Sequence, residues 1–330
     1  MTLAVRDVPL AAYRQAAGLP GIADPEGRVV AVRFEKVLVS TPLFFPVTLD
    51  LHAFRDAYQV PGLYLEEAYD AIFDPAFAAG LAPRRDVLAA AAPGDAELFV
   101  LGGSSNHFHW LLDFLPRLAA IRHGPAPDAL IVPAGLDPRQ QEALAVASAA
   151  LAMPMPPQRA VPDGVVGLRR ATMPVAVSRP VAIAFWRRVL EASGIVQRPR
   201  RRLFVRRGSV ARRRLLDEAE VAGRFAEAGF EPVDPGALDF AAQMRLFAEA
   251  AVVVGAHGAA LANAAFMPAG ATLVEIAAQD AASPFGALAA AAGLRYGALR
   301  AEVAGATAAD RLHADLRLPP GAVAALLAQL

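Results

Sequence analysis

The chain has 330 residues, 55% of them hydrophobic, with zero formal net charge and no cysteine. That length accommodates two domains with sizeable cores. The balanced charge supplies no overall attraction to nucleic acid or an anionic membrane, and the lack of cysteine excludes disulfide frameworks, thiolate nucleophiles and cysteine-based zinc sites.

Residues 1–95 carry the weakest pattern. The first 18 include Arg6, Asp7 and Arg14 without a continuous apolar run, so they do not read as a signal peptide. Residues 29–33 and 36–39 read as short strands, and 43–46 and 61–65 as turns. From Glu97 strand and helix alternate. Residues 98–101 read as a buried strand ending at Gly102 and Gly103, followed by a helix over 106–121 that Pro116 should kink or break. Strands are expected at 129–132 and 169–173, and helices at 138–151 and 181–192. The apolar stretch 143–157 is too short to span a membrane and stops at Pro154.

Past a basic segment containing Pro199 the alternation is regular. Strands are expected at 203–205, 231–233, 252–255, 272–276 and 295–299. Helices are expected at 217–228, 240–250, from 259, and at 285–292, then a loop at 304–309 and a terminal helix within 319–330. Alternating strands and helices imply α/β domains with parallel sheets. The expected division is an N-terminal domain over 1–178, a C-terminal domain over 179–318, and a terminal helix at 319–330 packing back on the first domain. Ligands in such folds bind at the carboxyl ends of strands.

Four groups stand at those ends. The first runs from Asn106 to Arg117; His109, Asp113 and Arg117 are spaced i, i+4, i+8 and share a helix face. A histidine bonded to an aspartate is oriented and made more basic. Two histidines two apart, His107 and His109, point away from each other on a helix and do not suit a metal. In the second group a strand leads to Arg206 and Arg214, guanidinium groups suited to phosphate. The third runs from Val252 to Asn263. There Gly255 and Gly258 permit close approach of a ligand, His257 adds a donor, and a helix starting at Ala259 offers unpaired N–H groups to a diphosphate. The fourth is Glu275, at a strand end, placed to accept from ribose hydroxyls. No nucleic-acid motif, G-x-S-x-G elbow or D-x-D triplet is present.

Together these pieces resemble glycosyltransferase family 61, whose bacterial members are often described as capsular polysaccharide biosynthesis proteins. Residues 106–117, 203–218 and 229–276 carry the resemblance, including Gln243, the H-G-A-x-L-x-N turn and Asn263. Ala260 replaces the glycine common in that turn, and Asp217 replaces the usual asparagine. The resemblance implies a GT-B-like fold of two Rossmann-like domains with parallel sheets facing across a cleft, and an inverting sugar transfer. The expected donor is a nucleotide-sugar, UDP-linked, with a glycan or lipid-linked acceptor and no cofactor or divalent metal required. Arg206, Arg214, His257, Gly258 and Ala259 would hold the diphosphate and Glu275 the ribose. His109 and Asp113 would be base and orienter in either assignment, supported by Asn106, Arg117, Gln243 and Asn263. The expected setting is cytoplasmic, peripheral to a membrane through a partner. A nucleotide-sugar epimerase and a non-catalytic scaffold of a polysaccharide assembly complex are the competing readings.

Overall fold

The chain folds into two units, Met1–Ala182 and Ile183–Leu330. The computed structural model describes residues 4–41, 44–58, 70–208, 213–278, 283–304 and 314–330. The turn expected at 61–65 lies outside these residues, as does the loop expected at 304–309 beyond Ala304, which itself ends a strand.

In the first unit Leu98–Val100 is buried throughout and lies within a six-stranded sheet. The strand order is Gly21–Ala23, Val29–Phe34, Ala171–Pro174, Leu98–Val100, Ala129–Pro133, Gln158–Val161. The last four are parallel to one another. Phe99, Val100, Leu130 and Ile131 are buried, which is why Leu98–Val100 and Ala129–Pro133 read as unbroken apolar runs. At the other edge the parallel pairing expected from the alternation gives way to antiparallel pairing. Val29–Phe34 runs antiparallel to Ala171–Pro174, and Gly21–Ala23 antiparallel to Val29–Phe34. A separate antiparallel sheet joins Val165–Leu168, Val37–Ser40 and Phe45–Thr48. Phe45 and Pro46, expected in a turn, begin that third strand, because Phe45 and Val47 are buried. A helix over Pro75–Ala90 occupies a stretch where the sequence shows no clear helical period. Asp74 caps it by accepting from the Ala76 N–H at 2.7 Å, with Pro75 at its first position and Pro83 within it.

The second unit holds one six-stranded sheet in the order Glu231–Val233, Arg201–Val205, Ala250–Ala256, Thr272–Ala278, Arg295–Ala304, Asp315–Arg317. All pairs are parallel except the last. In chain order the five parallel strands run 2-1-3-4-5, so the winding reverses between Arg201–Val205 and Ala250–Ala256. The carboxyl ends of those two strands form the topological switch point, where open α/β sheets bind ligands. Phe204 stacks on Phe225 at 4.8 Å, and Phe225 meets Phe230 edge-on at 5.1 Å. Such pairs add ~0.5–1.5 kcal/mol each beyond the area they bury. The chain closes on the helix Ala322–Leu327. Val323 lies in the core of the second unit with Phe204 and Phe225. Among the described residues no helix is long and apolar enough to cross a membrane.

Candidate active site

Asn106 opens the helical segment of the first unit. Its backbone is extended, and its side chain accepts from the Phe108 N–H at 2.9 Å. The segment changes pitch twice, α over His107–His109, π over Trp110–Phe114 and 3₁₀ over Leu115–His123. Pro116 supplies the cause, since it has no N–H to give the carbonyl of Leu112 and its ring disfavours α geometry just before it. Isolated π turns of this kind recur at functional sites. The strand before the segment ends at Val100, and two residues on Gly102 has φ of +75°, which favours glycine, and a Cβ there would stand 2.8 Å from the Phe114 ring.

His109 and Asp113 still meet across the π turn. His109 Nδ1 lies 2.7 Å from Asp113 Oδ2, and both residues are buried. Arg179 Nη1 donates to Asp113 Oδ1 at 2.6 Å and to the carbonyl of Leu112 at 3.2 Å. Arg117 donates to the carbonyls of Asp113 at 3.0 Å and Leu101 at 3.4 Å, tying the helix to the strand before it. A neutral imidazole that donates through Nδ1 carries its basic lone pair on Nε2. In that tautomer the aspartate fixes the ring and Nε2 is the nitrogen able to accept a proton.

In the second unit His257 repeats the motif with a different acid. Its Nδ1 lies 2.5 Å from Glu275 Oε1, while Glu275 Oε2 accepts from Ser283 Oγ and Tyr296 Oη, each at 2.5 Å. Glu275 has no exposed surface. Burial pushes its carboxyl up, but the hydrogen bonds from His257, Ser283 and Tyr296 outweigh that and hold it below the ordinary glutamate value. Partial desolvation and the Glu275 carboxylate it bonds push the Tyr296 hydroxyl up to about 12. Glu275, expected to hold the ribose, orients His257; the strand continues to Ala278, so Glu275 is internal to it, and both its carboxylate oxygens are hydrogen-bonded within the protein.

The glycines of this turn make room for the protein's own atoms. A Cβ on Gly255 would stand 3.0 Å from both Val205 and Leu261, so this glycine serves strand packing. A Cβ on Gly258 would stand 1.7 Å from Arg207 Nη1, which donates to the carbonyl of His257 at 3.2 Å. Ala259 opens a 3₁₀ helix over Ala259–Phe266, in place of the α-helix expected there. Ala260 lies inside it and has none of the left-handed backbone that only glycine tolerates easily. Asp217 has φ of +60°, a conformation asparagine adopts most readily, so the family's usual residue has a backbone reason.

Arg207, one residue past the expected Arg206, follows the strand at the switch point, and Arg213, one residue before the expected Arg214, is near enough for its charge to act on Arg207. The Arg207 N–H donates to Glu218 Oε1 at 2.6 Å. Burial, then the charge of Arg213, lower the Arg207 guanidinium below its ordinary value against the pull of Glu218. Arg213 holds a left-handed backbone at φ +55°, and its buried Nε has no hydrogen-bond partner among the described residues. Two guanidinium groups this close carry a positive charge whose chemistry suits an anion. Arg206 is half-exposed, 3.8 Å from Glu218, and Arg214 is exposed and held by Asp315 through Nε at 3.0 Å and Nη2 at 2.5 Å. Asn263 donates to Gln243 at 2.9 Å, and Gln243 donates to the carbonyl of Leu238 at 3.2 Å; both side chains are buried, so they secure the 3₁₀ helix from behind.

Sequence patterning misses Arg179, Arg207, Arg213 and Tyr296. Ser283 carries a readable signal, as a serine before proline that accepts from the Phe285 N–H at 3.1 Å and caps Pro284–Ala292. Arg179 has none, since its partner is 66 positions away. No curated protein matches the chain. The family model for glycosyltransferase 61 matches residues 107–274, just over half of the sequence, from the segment bearing His109 and Asp113 to the strand bearing Glu275. The chain belongs to glycosyltransferase family 61 and is a glycosyltransferase.

Proposed function

We propose that this enzyme transfers a sugar, with inversion, from a UDP-linked donor to a hydroxyl of a glycan or lipid-linked acceptor, in the assembly of surface or capsular polysaccharide. In this reading the architecture is GT-B, the second unit binds the nucleoside diphosphate and the first supplies the base. The observation that carries it is the switch point, where Arg207 and His257-Gly258 leave adjacent parallel strands. Arg207, Arg213 and the first N–H groups of the 3₁₀ helix would take the diphosphate. With Nδ1 committed to Glu275, His257 donates to a phosphate oxygen from Nε2 when its ring is protonated.

The acceptor hydroxyl gives its proton to His109 Nε2 as its oxygen attacks the anomeric carbon. The bond from that carbon to the diphosphate oxygen breaks, and the diphosphate leaves with the electron pair. Asp113 steadies the imidazolium that forms. No divalent metal is invoked, because arginine charge performs that neutralisation.

Release of UDP from a panel of UDP-sugars tests the reading. Wild type should release UDP, and His109→Ala should lower the rate by about 10²–10⁴-fold, the usual worth of a positioned base. Full retention of the rate by His109→Ala would remove His109 from the mechanism. Binding without release would favour the scaffold, and isotope exchange at the sugar ring without release would favour the epimerase.

A further inference from the structure

Asp113 is held on both oxygens, and its two holders come from different parts of the sequence. His109 takes Oδ2 at 2.7 Å, and Arg179 takes Oδ1 at 2.6 Å. Arg179 is the first residue of the helix Arg179–Ala192 and only 12% of its side chain is exposed. Its guanidinium lies over the Phe108 ring at 5.0 Å and also donates to the carbonyl of Leu112. In an α-helix that carbonyl would receive the N–H of residue 116, which proline lacks. A single guanidinium therefore satisfies the backbone acceptor left by Pro116 and fixes the carboxylate that orients His109.

Three constraints on one side chain exceed what a plain ion pair requires. A planar guanidinium with several donors can meet the Leu112 carbonyl and the carboxylate together, whereas a lysine ammonium has a different reach and no flat face for Phe108. A carboxylate free to rotate would let the imidazole exchange tautomers, moving the basic lone pair from Nε2 to Nδ1. Arg117, from the 3₁₀ segment Leu115–His123 that follows the pair, brings a second guanidinium close by and donates to the Asp113 backbone carbonyl.

We propose that Arg179 is a positioning residue for the transfer reaction: by locking Asp113 it holds His109 in the tautomer whose Nε2 accepts the acceptor proton. This rests on the reading of His109 as the base. The predicted signature is structural as well as kinetic, so it is measurable before the natural acceptor is identified.

The test uses the full chain labelled with ¹⁵N-histidine, its six histidines being separated by a His109→Asn reference spectrum. Wild type should show His109 as the fixed Nδ1–H tautomer. Arg179→Met should convert that signal to an exchanging average, with Arg179→Lys intermediate. In parallel, UDP release from the UDP-sugar panel should fall about 10²-fold in Arg179→Met, the scale of a misplaced reacting group, through kcat and not KM. Arg179→Lys should recover part of that loss. Circular dichroism and the thermal midpoint identify a variant that fails to fold; if Met does so, the Lys variant alone must still show the weakened tautomer signal and lowered kcat. A wild-type tautomer signal in folded Arg179→Met, or a change confined to KM, would overturn the proposal while leaving His109 as base. Unchanged UDP release in His109→Asn would overturn both.

Discussion

Arg207 lies directly over Gly258, with Nη1 bonded to the carbonyl of His257 at 3.2 Å and 1.7 Å from where a Cβ on that glycine would stand. Gly258→Ala must therefore displace the guanidinium. The conflicting atom is the end of a long side chain, so the fold should tolerate the change while the anion site does not. The expected result is a thermal midpoint near wild type with UDP affinity reduced about 10- to 100-fold, the ~1.5–3 kcal/mol of a hydrogen bond to a charged group. Calorimetric titration with UDP checks it, and unaltered affinity would show that Arg207 does not touch the ligand.

Glu275 links the second unit's stability to pH. Its folded carboxyl sits below the ordinary value of 4.5, so the unfolded chain takes up the proton first as pH falls. The stabilisation is present above about pH 4.5 and is lost as pH drops through the folded value. Glu275→Gln should flatten the acid limb of a stability–pH curve obtained from urea unfolding. An identical limb in wild type and variant would contradict the assignment of that carboxylate as ionised and hydrogen-bonded.

The buried amide pair behind the turn should matter for stability ahead of chemistry. Asn263→Ala removes the donor that Gln243 Oε1 receives at 2.9 Å, and a buried acceptor left without its donor costs ~1–3 kcal/mol. Urea unfolding should show that loss. UDP affinity, measured well below the variant's midpoint, should stay within about threefold, a span of less than 1 kcal/mol.

Diphosphate binding through guanidinium groups should be indifferent to chelation. UDP affinity in excess EDTA should equal that with added magnesium or manganese. A metal requirement would assign part of the neutralisation to an ion and reduce the share carried by Arg207 and Arg213.

The second unit is legible in the sequence because each apolar strand there pairs in parallel with a strand that an intervening helix delivers, giving a regular local pattern. The first hundred residues are not. Val37–Ser40 pairs with Val165–Leu168, a partner far along the chain that no local window contains. The helix Pro75–Ala90 carries Gly80 and Pro83 inside it and exposes Val87, which hides its period. At the sites, His109–Asp113 can be read because helical spacing brings i and i+4 together, and the pair survives the π turn. The arginines cannot be resolved one from the next. Past Val205, where the strand stops, alternation no longer tells whether Arg206 or Arg207 turns inward. The strand end expected at Ile276 falls two residues short, because Ala277 and Ala278, weak strand formers by themselves, still pair with Arg300 and Ala301.

The most direct test of a nucleotide-sugar enzyme with its donor site at the switch point is a thermal-shift titration with a panel of nucleoside diphosphates. Wild type is run beside Arg207→Ala, Arg213→Ala and His257→Ala, with Arg206→Ala and Arg214→Ala as comparisons. Ligand at 100 times its dissociation constant adds about 2.7 kcal/mol of stability. Wild type should show a clear shift with UDP, lost or strongly reduced in the first three variants and kept in the last two. No shift with any nucleoside diphosphate, or a shift abolished by Arg206→Ala and Arg214→Ala but not by Arg207→Ala, would contradict a donor site at the switch point.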